Sequence, residues 1–264
     1  MCLNLSYAEA RLWRDKAHEL ISSSVAAKKT HDPLLIGAAQ LSEVVSVVDG
    51  IKKRHGVLIE DALIAAIKFV PGWTASKSVI PRGVGKVFKT DCVAYNESAA
   101  RAYVFECKRQ YAFLDGDAKK AVDDRLDAIE KLFPAFATSQ GWSVSNSDLF
   151  ILSFYGTAKG KKYQVHDRHT VASLFPPCAM RFVNDFVSYT EAIVSRWCFE
   201  RLDPQAADKQ VQHPQDRTEP RGHDLRGETE DENLFTLIDR YGLSDLDRIL
   251  IMSEGIRVVR ANAG

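Results

Sequence analysis

Between residues 86 and 156 the hydrophobic pattern changes period twice, and this limits what the chain can fold into. "KVFKTDCVAY" (86–95) and "RAYVFECKRQ" (101–110) have the alternation and β-branched or aromatic content of strands, and the polar turn "NESAA" between them makes a hairpin. "LDGDAKKAVDDRLDAIEKLFPAF" (114–136) then returns to helical spacing, with Ala118, Val122, Ile129, Leu132 and Phe136 on one stripe. "DLFILSFYG" (148–156) is a continuous apolar run, the pattern of a strand buried on both faces. A hairpin, a helix and a buried strand in that order predict an α/β domain with a central mixed sheet flanked by helices.

Both flanks read as additions to that core. Apolar residues recur at three- and four-residue intervals over about 7–29 and 32–54, which predicts an N-terminal helical pair, with Asp32 before Pro33 as the second N-cap. Gly56 is expected to break that second helix. "VLIEDALIAAIKFVPG" (57–72) then reads as a short buried helix carrying Glu60 and Asp61, and 73–85 as a Gly/Pro/Ser-rich connection. A further long helix is expected over about 178–202. Residues 203–233 hold nine acidic and four basic side chains with only Ala206, Ala207, Val211 and Leu225 as aliphatics, the composition of a flexible linker. Periodicity returns in 234–264, predicting a helical extension that docks onto the body or onto a partner. The expected domains are therefore 1–55, a helical region packed on the core; 56–202, the core with its following helix; 203–233, the acidic linker; and 234–264, the docking or dimerising segment.

Composition removes several function classes. The five cysteines are odd in number, widely spaced and form no CxxC pair, which indicates neither a disulfide framework nor a structural zinc site. No apolar run approaches the roughly 18 residues of a membrane span, and the first residues lack the basic-then-apolar order of a signal peptide, so a soluble cytoplasmic protein is expected. The 35 basic residues balance the 35 acidic ones, so only local patches can speak for nucleic acid.

The second strand of the hairpin poses the functional question. Glu106, Lys108 and Gln110 stand at alternate positions of "YVFECKRQY" (103–111), which sends a carboxylate, an ammonium and an amide to one face of an otherwise apolar strand. If the turn is 97–100, Asn96 faces Arg101, and stepping along the ladder brings Asp91 opposite Glu106. A helical glutamate, a strand aspartate and a strand E-x-K, followed by a helix and a strand, resemble the PD-(D/E)XK nuclease superfamily with its restriction-endonuclease-like fold. The resemblance spans roughly residues 56–156. It makes Asp91 the motif aspartate, "ECK" (106–108) the E-x-K, and Glu60 the upstream glutamate. The proline that often precedes the motif aspartate is replaced here by Thr90.

The resemblance implies a metal-dependent endonuclease of DNA, acting in restriction, repair or a defence or mobile-element system. Phosphodiester hydrolysis needs an activated water and relief of charge on a pentavalent phosphate, and Mg²⁺, with Mn²⁺ as substitute, supplies both. Asp91, Glu106 and the Cys107 backbone carbonyl are the expected metal ligands, with Glu60 joining them or orienting a coordinated water. Lys108 is expected to hold the nucleophile and offset phosphate charge, and Gln110 to touch the phosphate or the lysine. The expected substrate contacts are Lys86 and Lys89, together with Lys161 and Lys162 of the basic loop "GTAKGKKYQVHDRH" (156–169). One such site cuts one strand, so duplex cleavage favours a homodimer. E-x-K also occurs as an ordinary ion pair. The alternative is accordingly a catalytically silent nucleic-acid-binding or scaffold protein that keeps the fold.

Overall fold

A computed structural model describes residues 3–27, 35, 37–155, 159–203, 232–241, 243, 247–252 and 255–260. The expected N-cap at Asp32 and nearly all of the acidic segment 203–233 lie outside the described residues. Two compact units divide the chain, one formed by 1–3 and 58–183, the other by 4–57 and 184–264. These divisions fall within the strand Leu3–Ser6 and the helices Ala39–Lys68 and Pro177–Leu202.

The first unit is built on a five-stranded sheet in the order β2-β5-β6-β7-β8, formed by β2 (Trp73–Ser76), β5 (Cys92–Asn96), β6 (Arg101–Lys108), β7 (Asn146–Ser153) and β8 (Gln164–Asp167). β2, β5 and β6 run antiparallel, while β7 and β8 extend the sheet in parallel. The expected mixed α/β sheet is present. A parallel step from β6 to β7 requires a crossover, and helix α3 (Gly116–Ser139) supplies it. Asp115 caps α3 by accepting a hydrogen bond from the Ala118 N–H at 2.7 Å. The buried stripe of α3 (Val122, Leu126, Ile129, Phe133) covers the sheet face formed by Val93, Tyr95, Ala102, Val104, Leu149 and Ile151. The opposite face is aromatic. Trp73 stacks on Tyr103 at 5.2 Å, and Phe105, Phe150 and Phe175 complete the cluster.

Three expected boundaries are corrected. Gly56 does not break the helix: α2 runs unbroken over Ala39–Lys68. A mid-helix glycine costs about 1 kcal/mol relative to alanine, and the buried Val47, Ile51, Ile59 and Leu63 on either side outweigh that. The run 86–95 is not one strand, and 73–85 is not a plain connection, since it holds β2 and β3. β3 (Val79–Gly83) pairs with β4 (Lys86–Lys89) as a separate two-stranded hairpin. Thr90 causes the division. Its N–H donates to the Ser78 carbonyl at 2.9 Å, and its Oγ1 accepts from the Ser78 N–H and donates to the same carbonyl, which leaves Asp91 at the bend between β4 and β5.

The second unit joins both ends of the chain. β1 (Leu3–Ser6), β9 (Asp247–Met252) and β10 (Gly255–Arg260) form a sheet in the order β1-β9-β10, so the expected C-terminal helical extension is only partly helical. Its strands bury Leu3, Leu5, Ile249, Ile251 and Ile256, branched side chains suited to a pleated surface. Helix α1 (Tyr7–Ala26) begins with a capping box between Ser6 and Glu9. Helix α4 covers Pro177–Leu202 and α5 covers Leu234–Tyr241. Tyr189 on α4 donates to Asp239 on α5 at 2.8 Å. The Tyr189 oxygen must then accept from His18 Nε2, 2.8 Å away on α1, which places the imidazole proton on Nε2. Arg14 closes the network on Asp239. The C-terminal segment is thus anchored to its own chain.

Candidate functional site

The register of the hairpin assembles the site. Asn96 faces Arg101 and Cys92 faces Phe105, so the ladder, continued by one residue, points Asp91 at Glu106. At this end of β6 the Lys108 carbonyl accepts from Phe154 N–H on the β7 side. Cys107, one residue back, therefore turns its N–H and carbonyl toward β5, where the bend at Thr90 has removed the next backbone partner. The Asp91 carboxylate takes that place, accepting from the Cys107 N–H at 2.8 Å. This fixes Asp91 beside the E-x-K.

Glu106 and Lys108 project on the face covered by α3, and the Cys107 thiol on the other. Glu106 is 2% exposed. Its Oε1 receives Lys108 Nζ at 2.6 Å and Arg125 of α3 at 3.1 Å, while its buried Oε2 has no hydrogen-bond partner among the described residues. Burial first, and the nearby Asp91 carboxylate second, push the Glu106 carboxyl above the ordinary carboxylate range, against the pull of the two cations. The same two causes, in the same order, push Glu60 up, and Lys77 restrains it from 3.1 Å. Lys77 also reaches Asp61 at 2.9 Å. Asp91 is thus the charge felt by both Glu60 and Glu106. Desolvation raises the Cys107 thiol as well, which keeps it protonated and unreactive at neutral pH.

Asp91, Glu106, Lys108 and Glu60 are therefore drawn into one electrostatic neighbourhood, and the structure separates the remaining expected contacts from it. Gln110 does not share the strand face, because β6 ends at Lys108 and Gln110 lies exposed at the start of a 3-10 turn. Lys86 and Lys89 belong to the outlying β3-β4 hairpin, although the Lys89 carbonyl accepts from Arg125. Lys161 is exposed. Lys162 pairs with Asp127 on α3, whose carboxyl it holds down together with Tyr163, which also bonds Glu130. His166 is buried against Phe150, and burial pushes its ring toward the neutral form.

Arg125 is the residue that strand reasoning missed. Its signal lies in helix spacing: it stands three residues after Val122 and four before Ile129, on the stripe that faces the core. A guanidinium there needs a buried acceptor.

Among the described residues no three His, Cys, Asp or Glu side chains converge closely enough to hold a metal ion. The donor chemistry nonetheless fits a hard divalent cation. Mg²⁺ takes one or two carboxylates and keeps several waters; the Glu106 carboxyl, with Oε2 unpartnered among the described residues, feels the Asp91 charge, and the Cys107 carbonyl is turned to the Asp91 side. Comparison with protein-family models, curated proteins and solved structures returns no match.

Proposed function

We propose that the chain hydrolyses phosphodiester bonds of DNA with the help of a divalent metal, through Asp91, Glu106 and Lys108 in a core of the restriction-endonuclease-like kind. One observation carries this: a glutamate 2% exposed keeps one oxygen under two cations and the other without a partner among the described residues, near a second carboxylate. Two neighbouring carboxylates repel, and burying an unpaired acceptor costs about 1–3 kcal/mol, so the arrangement is poorly suited to stability alone. A bound cation would reverse both effects.

Asp91 and Glu106 would hold Mg²⁺ or Mn²⁺, which supplies charge relief for the phosphate and acidifies water at neutral pH. Lys108 has three donors, only one of them committed to Glu106 Oε1. Its others can orient the attacking water and neutralise a phosphate oxygen as charge develops there. Arg125 keeps the Glu106 carboxylate in its rotamer, a positioning task. Glu60, whose carboxyl is pushed above the ordinary range by burial and by Asp91, would orient a water held by the metal.

Supercoiled plasmid, linear duplex and single-stranded DNA incubated with Mg²⁺, Mn²⁺ or EDTA provide the test. Metal-dependent cleavage that is lost in Asp91→Ala and Glu106→Ala is expected. Cleavage indifferent to EDTA, or surviving in both variants, overturns the assignment. The Asp91 contact to the Cys107 N–H favours a second reading, in which Asp91 only ends a strand and the fold serves as a silent nucleic-acid-binding scaffold. Binding of DNA without cleavage under every metal condition would select it.

A further inference from the structure

The β3-β4 hairpin is rooted and yet bare. Ile80 (0% exposed) and its cross-strand partner Phe88 pack into the core beneath α3. Residues 81–87 beyond them are all exposed. Alternation puts Val79, Pro81 and Val87 on the outward face, where the two valines are 52% and 50% exposed. Gly83 and Gly85, with φ of +126° and +71°, form the turn and present Val84 between them at 104% exposure. Exposed β-branched residues at a tip and along an outward strand face are unusual for a surface with nothing to bind.

The hairpin's own charge has one sign. Arg82, Lys86 and Lys89 border its apolar strip, and the sequence from 77 to 90 contains no acidic residue. Among the described residues none of these three cations forms a salt bridge; Arg82 instead lies over the Phe88 ring at 4.9 Å. The strand then leads directly through Lys89 and Thr90 into Asp91, and Arg125 ties the Lys89 carbonyl to Glu106. A ligand on the hairpin is thus addressed to the carboxylate site.

Resting on the phosphodiesterase reading above, we infer that the β3-β4 hairpin is a duplex-binding arm: Arg82, Lys86 and Lys89 engage phosphates, and Val84 enters a groove as a wedge against the base stack. A two-stranded ribbon is narrow enough to lie along a duplex groove, and apolar side chains are what minor-groove binders insert between base steps. Phosphate supplies the countercharge that this surface lacks. Single strands offer stacking partners to aromatic residues, and the tip has none, so the arm selects double-stranded substrate.

Fluorescence anisotropy with a labelled 20-base-pair duplex and its single strand, in Ca²⁺ or EDTA so that nothing is cut, separates this inference from catalysis. The wild type is expected to prefer duplex. Replacing Arg82 and Lys86 by serine should weaken duplex binding and lower the salt slope by about 1.8, at about 0.9 for each phosphate that is no longer neutralised, and Arg82→Lys with Lys86→Arg should retain it. Val84→Ala should keep most of the affinity and lose the 2-aminopurine fluorescence increase that reports unstacking. Unchanged salt slopes in the serine variant, or equal affinity for single strand, overturn the arm. So does a hairpin that instead pairs two copies of the chain, seen as a dimer-to-monomer shift in sedimentation without change in DNA binding. Duplex binding through the arm in a protein that never cleaves would sink the phosphodiesterase reading and leave the arm standing.

Discussion

Lys108→Ala separates an ordinary ion pair from a working lysine. Lys108 Nζ lies 2.6 Å from Glu106 Oε1, with the lysine side chain 29% exposed and the glutamate 2% exposed. At an effective dielectric of about 20, opposite charges some 3–4 Å apart attract by about 4–6 kcal/mol. Truncation returns the desolvation cost of the ammonium, and Arg125 stays on the same oxygen at 3.1 Å, so the net loss should fall below the 3–5 kcal/mol of a fully uncompensated buried charge. We expect about 1–2 kcal/mol, or a fall in Tm of about 3–6 °C for a chain of this size.

The loss must also depend on pH. Burial and Asp91 already raise the Glu106 carboxyl, and Lys108 opposes them. Removing Lys108 raises it further, so the folded state holds its proton to higher pH than the unfolded chain does. Stability of the variant then declines as pH rises from the ordinary glutamate range through the raised value, and the difference from wild type shrinks in acid, where Glu106 is protonated in both. Urea melts near pH 4.5 and pH 8 measure this, and Glu106→Gln in the same background should remove most of the penalty at pH 8. Cleavage should drop by about 10²–10⁴-fold, while calorimetric Mn²⁺ affinity holds or improves as a nearby positive charge disappears. Near-full cleavage at saturating metal would show that Lys108 only pairs with Glu106. A stability loss equal at both pH values would refute the electrostatic account of the pair.

Asp91→Asn keeps an acceptor for the Cys107 N–H while removing charge, so stability should change by less than about 1 kcal/mol and Mn²⁺ binding by calorimetry should vanish; retained binding would reduce Asp91 to a strand end. Arg125→Ala should cost about 2–3 kcal/mol in urea unfolding, because it frees Glu106 and the Lys89 carbonyl together, yet lower cleavage less than Lys108→Ala does. Gly56→Ala should stabilise by about 0.5–1 kcal/mol, since an added Cβ meets nothing within 4 Å in the middle of α2, and thermal unfolding reads it directly.

The sequence reveals some of this architecture and hides the rest for definable reasons. The register of β5 on β6 follows from the turn 97–100, because a one-residue slip would send every side chain to the wrong face. The crossover through α3 to β7 follows from the apolar run 149–152. The split at Thr90 was hidden, since it depends on Ser78, twelve residues away, accepting and donating three hydrogen bonds that no local pattern reports. Alternation continued past Lys108 would put Gln110 on the strand face, but the chain turns into a 3-10 segment there. Helix spacing marks Arg125 as core-facing, but its partner is set by the sheet beneath it. β2 and β3 escaped notice because Pro81, Gly72 and Gly83 punctuate strands too short to show a period.

The division at Thr90 matters most for chemistry. Had 86–95 been one strand, a backbone N–H and carbonyl would have met Cys107, and Asp91 would have been one alternating residue among many. The bend withdraws that backbone and substitutes a carboxylate, which satisfies the Cys107 N–H and leaves the carbonyl of the same residue on the side of Asp91. Glu106 is held opposite by Lys108 and Arg125 through a single oxygen, so its second oxygen is left without a partner where Asp91 already raises the cost of a further negative charge. A core built for stability would place a leucine there, since replacing buried ion pairs by apolar groups is often neutral or favourable. Asp91, Glu106 and the Cys107 carbonyl at the end of β6, with an ammonium on hand and a basic hairpin leading into them, are the donors that the proposed cation and phosphate would complete.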